Sequence, residues 1–242
     1  MSDPVRPNDF VVLIGGKSST GKSTSLMQLE NPEGVLYLNC DAGKKLPFNS
    51  KFNEKTITDP YEIYSFFEAA EAEPRIHTIV IDTLTFMMDM MESVHVITSG
   101  DQQKAWGHFS QFFKVLMQHH VARSTKRVIF CAHTAEPSKP GDIETYVQVK
   151  SSLKNNGIEA YFAIVIATKK LPLRALAGYE SPLLTITPEE EALGYKYVFQ
   201  TRLTKETVHE RIRGPLGLFS TKETFIDNNL QLVLDRLKTY YK

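Results

Sequence analysis

The residues best suited to chemistry lie in one short stretch near the start of the chain. The stretch reads GKSSTGKS and fits the pattern G-x-x-x-x-G-K-[ST]. Its members are Gly16, Lys17, Ser18, Ser19, Thr20, Gly21, Lys22 and Ser23, followed by Thr24. In such a loop the backbone N–H groups turn inward and can hold phosphates. The motif follows an apolar run, FVVLI, as a loop between a strand and a helix requires.

Each side chain of this loop has a chemical reason to be there. Lys22 can place a mobile positive charge on the outer phosphates, and the Ser23 hydroxyl can bind Mg²⁺. The Thr24 hydroxyl can bond another phosphate oxygen. The motif therefore predicts a site for ATP and Mg²⁺. The alternative is a glycine-rich turn between a strand and a helix that binds no ligand.

Three further polar residues follow apolar runs, where ligands of an open parallel sheet bind. Asp82 ends the run TIVID and is predicted to hold Mg²⁺, although a helix-capping aspartate would look the same. Asp41 follows VLYLNC and could deprotonate an attacking water, or could simply belong to an Asp-Ala-Gly turn. His133 ends RVIFCAH and could sense the outermost phosphate, or could be a histidine satisfied at a strand end.

The elements that must position these residues can be predicted from hydrophobic patterning. Five runs, the four above and YFAIVIAT, are apolar on both faces, which is typical of buried parallel strands. Helices are expected over 22–30, from Asp59-Pro60 to about Glu73, over 102–123 and over 228–241. Segments 196–204 and 207–213 alternate and predict an antiparallel hairpin at the sheet edge. We therefore expect an α/β fold in one domain spanning 1–242, with an irregular segment over 134–157.

Composition narrows the possible partners and surroundings. Lys and Arg together number 28, as do Asp and Glu, so bulk charge does not attract nucleic acid or anionic membrane. The two cysteines, Cys40 and Cys131, lie in apolar runs and are expected to be buried thiols of a reducing compartment. No run approaches the roughly 18 apolar residues of a membrane span, so we expect a cytoplasmic protein with no membrane partner.

The order of these parts resembles the RecA-like ATPase core, over about residues 8–220. The stretches GGKSSTGKST, VLYLNCD and TIVIDTLT look most like the small phage-encoded recombinases of the Sak-four type, which anneal single strands. The resemblance implies a slow ATPase stimulated by single-stranded DNA, assembled into a ring or filament, with a single-strand-binding protein as a further possible partner. It assigns the catalytic base to Asp41, where the family usually has Glu, and the sensor to His133, where recombinases often have Gln.

The resemblance also implies contacts to DNA and to a neighbouring subunit. The segment after the fourth run matches the position of the family's DNA-binding loop and contains Lys139, Lys150 and Lys154. The segment 86–105 is expected to share this contact. Arg211 and Arg213, in R-I-R-G-P-L-G, resemble arginines that reach the nucleotide of the next subunit, although they could be charges on a solvated hairpin.

Three other functions are also compatible with the sequence. The R-x-R-G-P-x-G segment also fits a ring helicase or translocase, although no strand-separating domain is evident. A protein that assembles with nucleotide but has no DNA role is a second alternative. A small-molecule kinase is a third, although no arginine-rich lid segment is evident.

Overall fold

The computed structural model describes residues 8–136 and 145–242. Within them, a central sheet has the strand order β3-β2-β4-β5-β1-β7-β8-β9, and β6 pairs with β5. The strands are β1 (Val11–Gly16), β2 (Val35–Asn39), β3 (Asn53–Thr56), β4 (Thr78–Asp82), β5 (Arg127–Ala135), β6 (Tyr146–Val147), β7 (Ile164–Pro172), β8 (Tyr195–Gln200) and β9 (Phe225–Asp227). The six strands β3, β2, β4, β5, β1 and β7 run parallel, whereas β8 and β9 pair antiparallel at one end of the sheet and β6 pairs antiparallel with β5. The predicted α/β fold with a mostly parallel sheet is confirmed.

Helices cover both faces of this sheet. They are α1 (Glu62–Ala72), α2 (Leu84–Met91), α3 (Gln102–Val115), α4 (Leu153–Asn156), α5 (Pro188–Leu193) and α6 (Leu230–Tyr240). Leu13 packs in a core with Phe67 and Phe109, which belong to α1 and α3. Its neighbour Ile14 packs in a second core with Leu234 of α6. Two cores explain why the strand sequences are apolar at successive positions.

The predicted helices at Asp59-Pro60 and over 102–123 and 228–241 are confirmed, with α3 continuing as a π-helix over Leu116–Val121. The helix expected over 22–30 is wrong, because only a short 3-10 helix, Ser23–Leu26, forms there. Turn residues follow it, and Asn31 has a left-handed conformation with φ of 48° before Pro32.

The hairpin predicted between 196–204 and 207–213 is also wrong. β8 pairs instead with β7 on one side and β9 on the other. Its pairing with β7 stops at Gln200, opposite Ala167, so the earlier part of β7 keeps a free edge. Arg213 takes part of that edge through backbone hydrogen bonds with Val165 of 2.8 and 3.1 Å. Neither strand that pairs with β8 includes any part of the segment 207–213.

Within the part of the chain that the structure describes, no helix is long and apolar enough to cross a bilayer.

Candidate functional site

The candidate site lies where β1, β5 and β4 end next to one another. Gly16, the last residue of β1, is the partner of His133 in β5. Asp82, the last residue of β4, is the partner of Cys131 in β5. The predicted phosphate loop, the carboxylate and the histidine therefore meet at one edge of the sheet.

The backbone of the phosphate loop is fixed from two sides. Gly21 has φ of +96°, and a Cβ there would lie 2.5 Å from Asn228 Nδ2. Asn228 Nδ2 in turn donates a 2.8 Å hydrogen bond to the Gly21 carbonyl, just before α6. On the other side, the Thr20 and Thr168 hydroxyls are 2.6 Å apart, and Thr168 belongs to β7. The loop is thus held in place by parts of the chain far away in sequence.

Lys22 is drawn into the loop. Its ammonium donates to the carbonyls of Gly16 and Lys17, at 2.9 and 2.8 Å. The side chain is only 6% exposed, and burial lowers the pKa of this ammonium. Lys22 lines the same cavity as Ser18, Ser19, Gly21, Ser23 and Thr24, so its ammonium is close to any phosphate that binds to the loop.

Ser23 and Asp82 are joined by a short hydrogen bond within the site. The Ser23 hydroxyl donates to Asp82 Oδ2 at 2.6 Å, and the Tyr37 hydroxyl donates to the same oxygen at 2.9 Å. Asp82 is 3% exposed, and burial raises the pKa of its carboxyl. Burial, followed by the charge of Asp82, also raises the pKa of Tyr37.

These groups fit Mg²⁺. Asp82 Oδ1 is buried and has no hydrogen-bond partner among the described residues, so one carboxylate oxygen remains available for a ligand. Mg²⁺ is commonly held by one or two protein oxygens together with phosphates and water. The described residues include no cluster of three or more His, Cys, Asp and Glu suited to a metal.

Asp41 lines the same cavity, of about 240 Å³, as Lys22, Ser23 and Asp82. It reaches the site even though β4 and β5 separate β2 from β1 in the sheet. Its backbone N–H donates to Asn39 Oδ1 at 3.0 Å, and the Lys44 ammonium lies 3.4 Å from Asp41 Oδ2. The Asp-Ala-Gly turn and the position in the cavity, which looked like alternatives in the sequence, are both present.

His133 touches the phosphate loop and α2 together. Its Nδ1 lies 3.3 Å from the Lys22 ammonium, and its backbone N–H donates to Thr85 Oγ1 at 2.8 Å. Its ring packs against Phe86, with 5.3 Å between ring centres. Burial, followed by the charge of Lys22, lowers the pKa of His133. A neutral ring whose Nδ1 accepts from Lys22 follows from this arrangement.

The two candidate arginines have different surroundings. Arg211 donates to Glu159 Oε2 at 3.0 Å, and Glu159 is only 4% exposed. Arg211 also lies over the Tyr146 ring, so its side chain is engaged within its own chain. Arg213 has an exposed side chain. Of the two, Arg213 is the one whose guanidinium could reach a neighbouring subunit, and this role stays a prediction.

The lysines expected to touch DNA are only partly accounted for. Lys150 pairs with Glu92, which follows α2, and Lys154 is exposed on α4. Lys139 lies outside the described residues. Lys17 of the phosphate loop forms a 2.7 Å ion pair with Glu136, just after β5. The structure thus links the phosphate loop to the start of the segment in which the DNA contact was expected.

Sequence reasoning missed several residues that shape the site. Tyr37 and Asn39 are polar side chains within the apolar run VLYLN, a signal that could have drawn attention to both. Thr168, Asn228 and Glu159 carry no local signal, because their partners Thr20, Gly21 and Arg211 lie far away in the sequence.

A strand-borne phosphate loop, its buried lysine and a serine bonded to the carboxylate of a neighbouring strand define a P-loop nucleoside triphosphatase, built here on a mostly parallel α/β sheet. The chain belongs to the AAA domain family, whose sequence profile matches residues 8–168. Its structure is also similar to that of a KaiC-like protein from the hyperthermophilic archaeon Pyrococcus horikoshii OT3, with 13% identity and a TM-score of 0.47. That match covers 84% of this chain and 82% of the archaeal chain. No curated protein matches the sequence.

Proposed function

We propose that this protein is a magnesium-dependent ATPase that acts on single-stranded DNA in recombination or strand annealing. The observation that carries the ATPase part is the contact between Ser23 and Asp82, 2.6 Å long, beside the buried ammonium of Lys22. The DNA part is supported by the resemblance to small phage recombinases, and with it we propose a cytoplasmic, phage-encoded protein.

In the proposed reaction, the loop N–H groups bind the phosphates and Lys22 turns from the carbonyls of Gly16 and Lys17 to the outer phosphates. Ser23 and Asp82 would hold Mg²⁺, which neutralises negative charge on the phosphate oxygens when it is bound. Asp41, which lines the same cavity, would orient a water and accept its proton. His133 would report the outermost phosphate through its contact with Lys22.

Two contacts could connect the nucleotide to DNA. The pair Lys17–Glu136 joins the phosphate loop to the residues that follow β5. The contacts of His133 with Thr85 and Phe86 join the same site to α2, whose C-terminal extension contains Glu92, the partner of Lys150. Phosphate binding could therefore change the surface formed by α2 and Lys150, where we propose that single-stranded DNA binds.

Self-association would raise the affinity for DNA by repeating a weak contact in every subunit. A chain without net charge gains little affinity from bulk electrostatics, but a ring or filament repeats each contact along one strand. The exposed Arg213 supports such an assembly, because its guanidinium could reach the nucleotide of the next subunit. A single-strand-binding protein could deliver the DNA.

Phosphate release should be measured with and without Mg²⁺ and single-stranded DNA, for the wild type and for Lys22→Ala. We expect Mg²⁺-dependent hydrolysis that DNA stimulates and that Lys22→Ala abolishes, because the loop loses its mobile cation. Full activity of Lys22→Ala would reject the phosphate-loop mechanism. Hydrolysis and assembly that are unchanged by DNA would favour a nucleotide-dependent assembly protein. ATP-driven separation of a duplex would favour a helicase.

A further inference from the structure

A second loop lines the same cavity as the phosphate loop. Asp41, Lys44, Lys45, Leu46 and Pro47 line one part of it, and the phosphate-loop residues and Asp82 line another. The residues after Asp41 were not assigned any role from the sequence. Their two lysines, however, border the place where the phosphates would bind.

A fully buried side chain holds this second loop in a single shape. Asn39 Oδ1 accepts from the backbone N–H of Asp41 at 3.0 Å, and Asn39 Nδ2 donates to the Lys44 carbonyl at 2.9 Å. Nδ2 also donates to Glu54 Oε1 at 2.8 Å, and Asn39 is 0% exposed. The backbone N–H of Lys44 closes the turn by donating to the Asp41 carbonyl at 2.9 Å.

The turn itself requires unusual backbone angles. Ala42 has φ of 50° and Gly43 has φ of 76°, both in the left-handed region. A non-glycine residue there costs free energy, and such strain persists where the surroundings hold it in place. With Asn39 bonded to both ends of the turn, the starting point of the Lys44 side chain is set before any ligand arrives.

A cation on this side of the cavity would offset negative charge there. A magnesium-bound triphosphate keeps a net negative charge, and the carboxylates of Asp82 and Asp41 add to it. Lys22 supplies positive charge from the phosphate loop. Lys44 is the lysine whose backbone is clamped and whose ammonium already lies 3.4 Å from Asp41 Oδ2.

We propose that Lys44 binds the outermost phosphate of the nucleotide in its own subunit, and that Asn39 is the residue that positions it. This inference rests on the proposed ATPase function. It assigns the cavity a preference for a nucleoside triphosphate over a diphosphate, since only the triphosphate has a phosphate for Lys44 to hold.

On nucleotide binding, the Lys44 ammonium would exchange its contact with Asp41 for a contact with the outermost phosphate. The Lys44 side chain is 76% exposed, and exposed pairs of this kind contribute little, so its ammonium can leave Asp41 at small cost. When Lys44 moves to the outermost phosphate, the Asp41 carboxylate loses this partner and stays in the cavity as the candidate base.

The test compares the affinities of a non-hydrolysable ATP analogue and of ADP, each with Mg²⁺, for four proteins. They are the wild type, Lys44→Ala, Lys44→Arg and the control Lys55→Ala, which removes an exposed lysine of the edge strand β3. We expect Lys44→Ala to bind the ATP analogue about 10-fold to 100-fold more weakly, as loss of a charged hydrogen bond predicts. Its ADP affinity should change less than about twofold, while Lys44→Arg and Lys55→Ala keep most of the preference for the ATP analogue.

Other results would contradict either the role of Lys44 or the proposed ATPase function. Equal weakening for both nucleotides, or no weakening, in a Lys44→Ala protein that unfolds at the wild-type temperature would overturn the assignment of Lys44. The same loss in Lys55→Ala would overturn it too, since a general charge effect would then explain the result. Failure of the wild type to bind either nucleotide would instead reject the proposed ATPase function.

Discussion

The hydroxyl of Ser23 lies 2.6 Å from Asp82 Oδ2, although the two residues are 59 positions apart in the sequence. The contact exists because β4 and β1 flank β5, so that the end of β4 and the loop after β1 emerge at one edge of the sheet. Asp82 keeps its other oxygen buried and without a partner among the described residues.

Replacing Asp82 by Asn should abolish the stabilisation of the protein by Mg²⁺ and nucleotide. The amide keeps the shape of the side chain but removes the negative charge that holds the metal. At a ligand concentration 100 times the Kd, a bound ligand stabilises a protein by about 2.7 kcal/mol. Thermal unfolding with and without Mg²⁺ and ATP measures this difference. The control Asp89→Asn, on α2, should respond to ligand like the wild type, and an unchanged response of Asp82→Asn would remove Asp82 from the metal site.

Replacing Asp41 by Asn should leave ATP binding in place while hydrolysis falls sharply. The amide cannot accept the proton of the attacking water, and general-base contributions are typically about 10²–10⁴-fold in rate. Single-turnover hydrolysis and equilibrium binding, measured on the same preparation, separate the two effects. A decrease in rate of less than about threefold would show that another group, or water alone, accepts the proton.

The two arginines should behave differently when each is replaced by Ala. Arg211→Ala leaves the buried Glu159 without its guanidinium partner, which should lower the free energy of unfolding by about 1–3 kcal/mol. Arg213→Ala should unfold like the wild type, because its side chain is exposed, but should lose DNA-stimulated hydrolysis. Chemical denaturation and phosphate release measure the two effects.

Mixing Arg213→Ala with Lys22→Ala tests whether Arg213 acts on the next subunit. Some interfaces of a mixed assembly would combine an intact Arg213 with an intact phosphate loop, so activity should reappear at intermediate ratios. No recovery at any ratio would argue for an action within one subunit or for no role. If Arg213 binds DNA instead, the variant should lose DNA affinity and show a weaker dependence of binding on salt, with basal hydrolysis unchanged.

His133 should make stability depend on pH in a defined direction. Burial and the charge of Lys22 lower the pKa of His133 below its usual value of 6.5, so the unfolded chain takes up the proton more readily than the folded one. Its contribution to stability is therefore fully present above about pH 6.5 and is lost as the pH falls toward the lowered value. Replacement by Gln keeps a polar side chain beside Lys22 and removes the titration.

Urea unfolding at several pH values checks this prediction. The free energy of unfolding of the wild type should fall relative to that of His133→Gln between about pH 7 and about pH 5. His120, whose pKa burial also lowers, adds a similar slope to both proteins, so the comparison isolates His133. Parallel curves for the two proteins would show that His133 titrates alike in the folded and unfolded states.

The sequence alone predicted the phosphate loop, the buried strands and the polar residues at the strand ends, because each depends on residues that are close together in the chain. The spacing of Gly16, Gly21, Lys22 and Ser23 specifies a phosphate loop, because those residue types permit the backbone angles and supply the charges that the loop needs. Apolar runs specified the buried strands, and polar residues at their ends marked Asp82, Asp41 and His133, since parallel strands end at one edge of a sheet.

Tertiary structure alone decided which distant residues meet. The alternation in 207–213 predicted a strand paired with 196–204, but the two edges of β8 are paired with β7 and β9. The Tyr37 hydroxyl reaches Asp82 because β2 and β4 are paired neighbours in the sheet. Glu159 binds Arg211 because the segment after α4 packs beside the segment 207–213. Such contacts depend on strand order and chain crossing, which the pattern of any one segment does not contain.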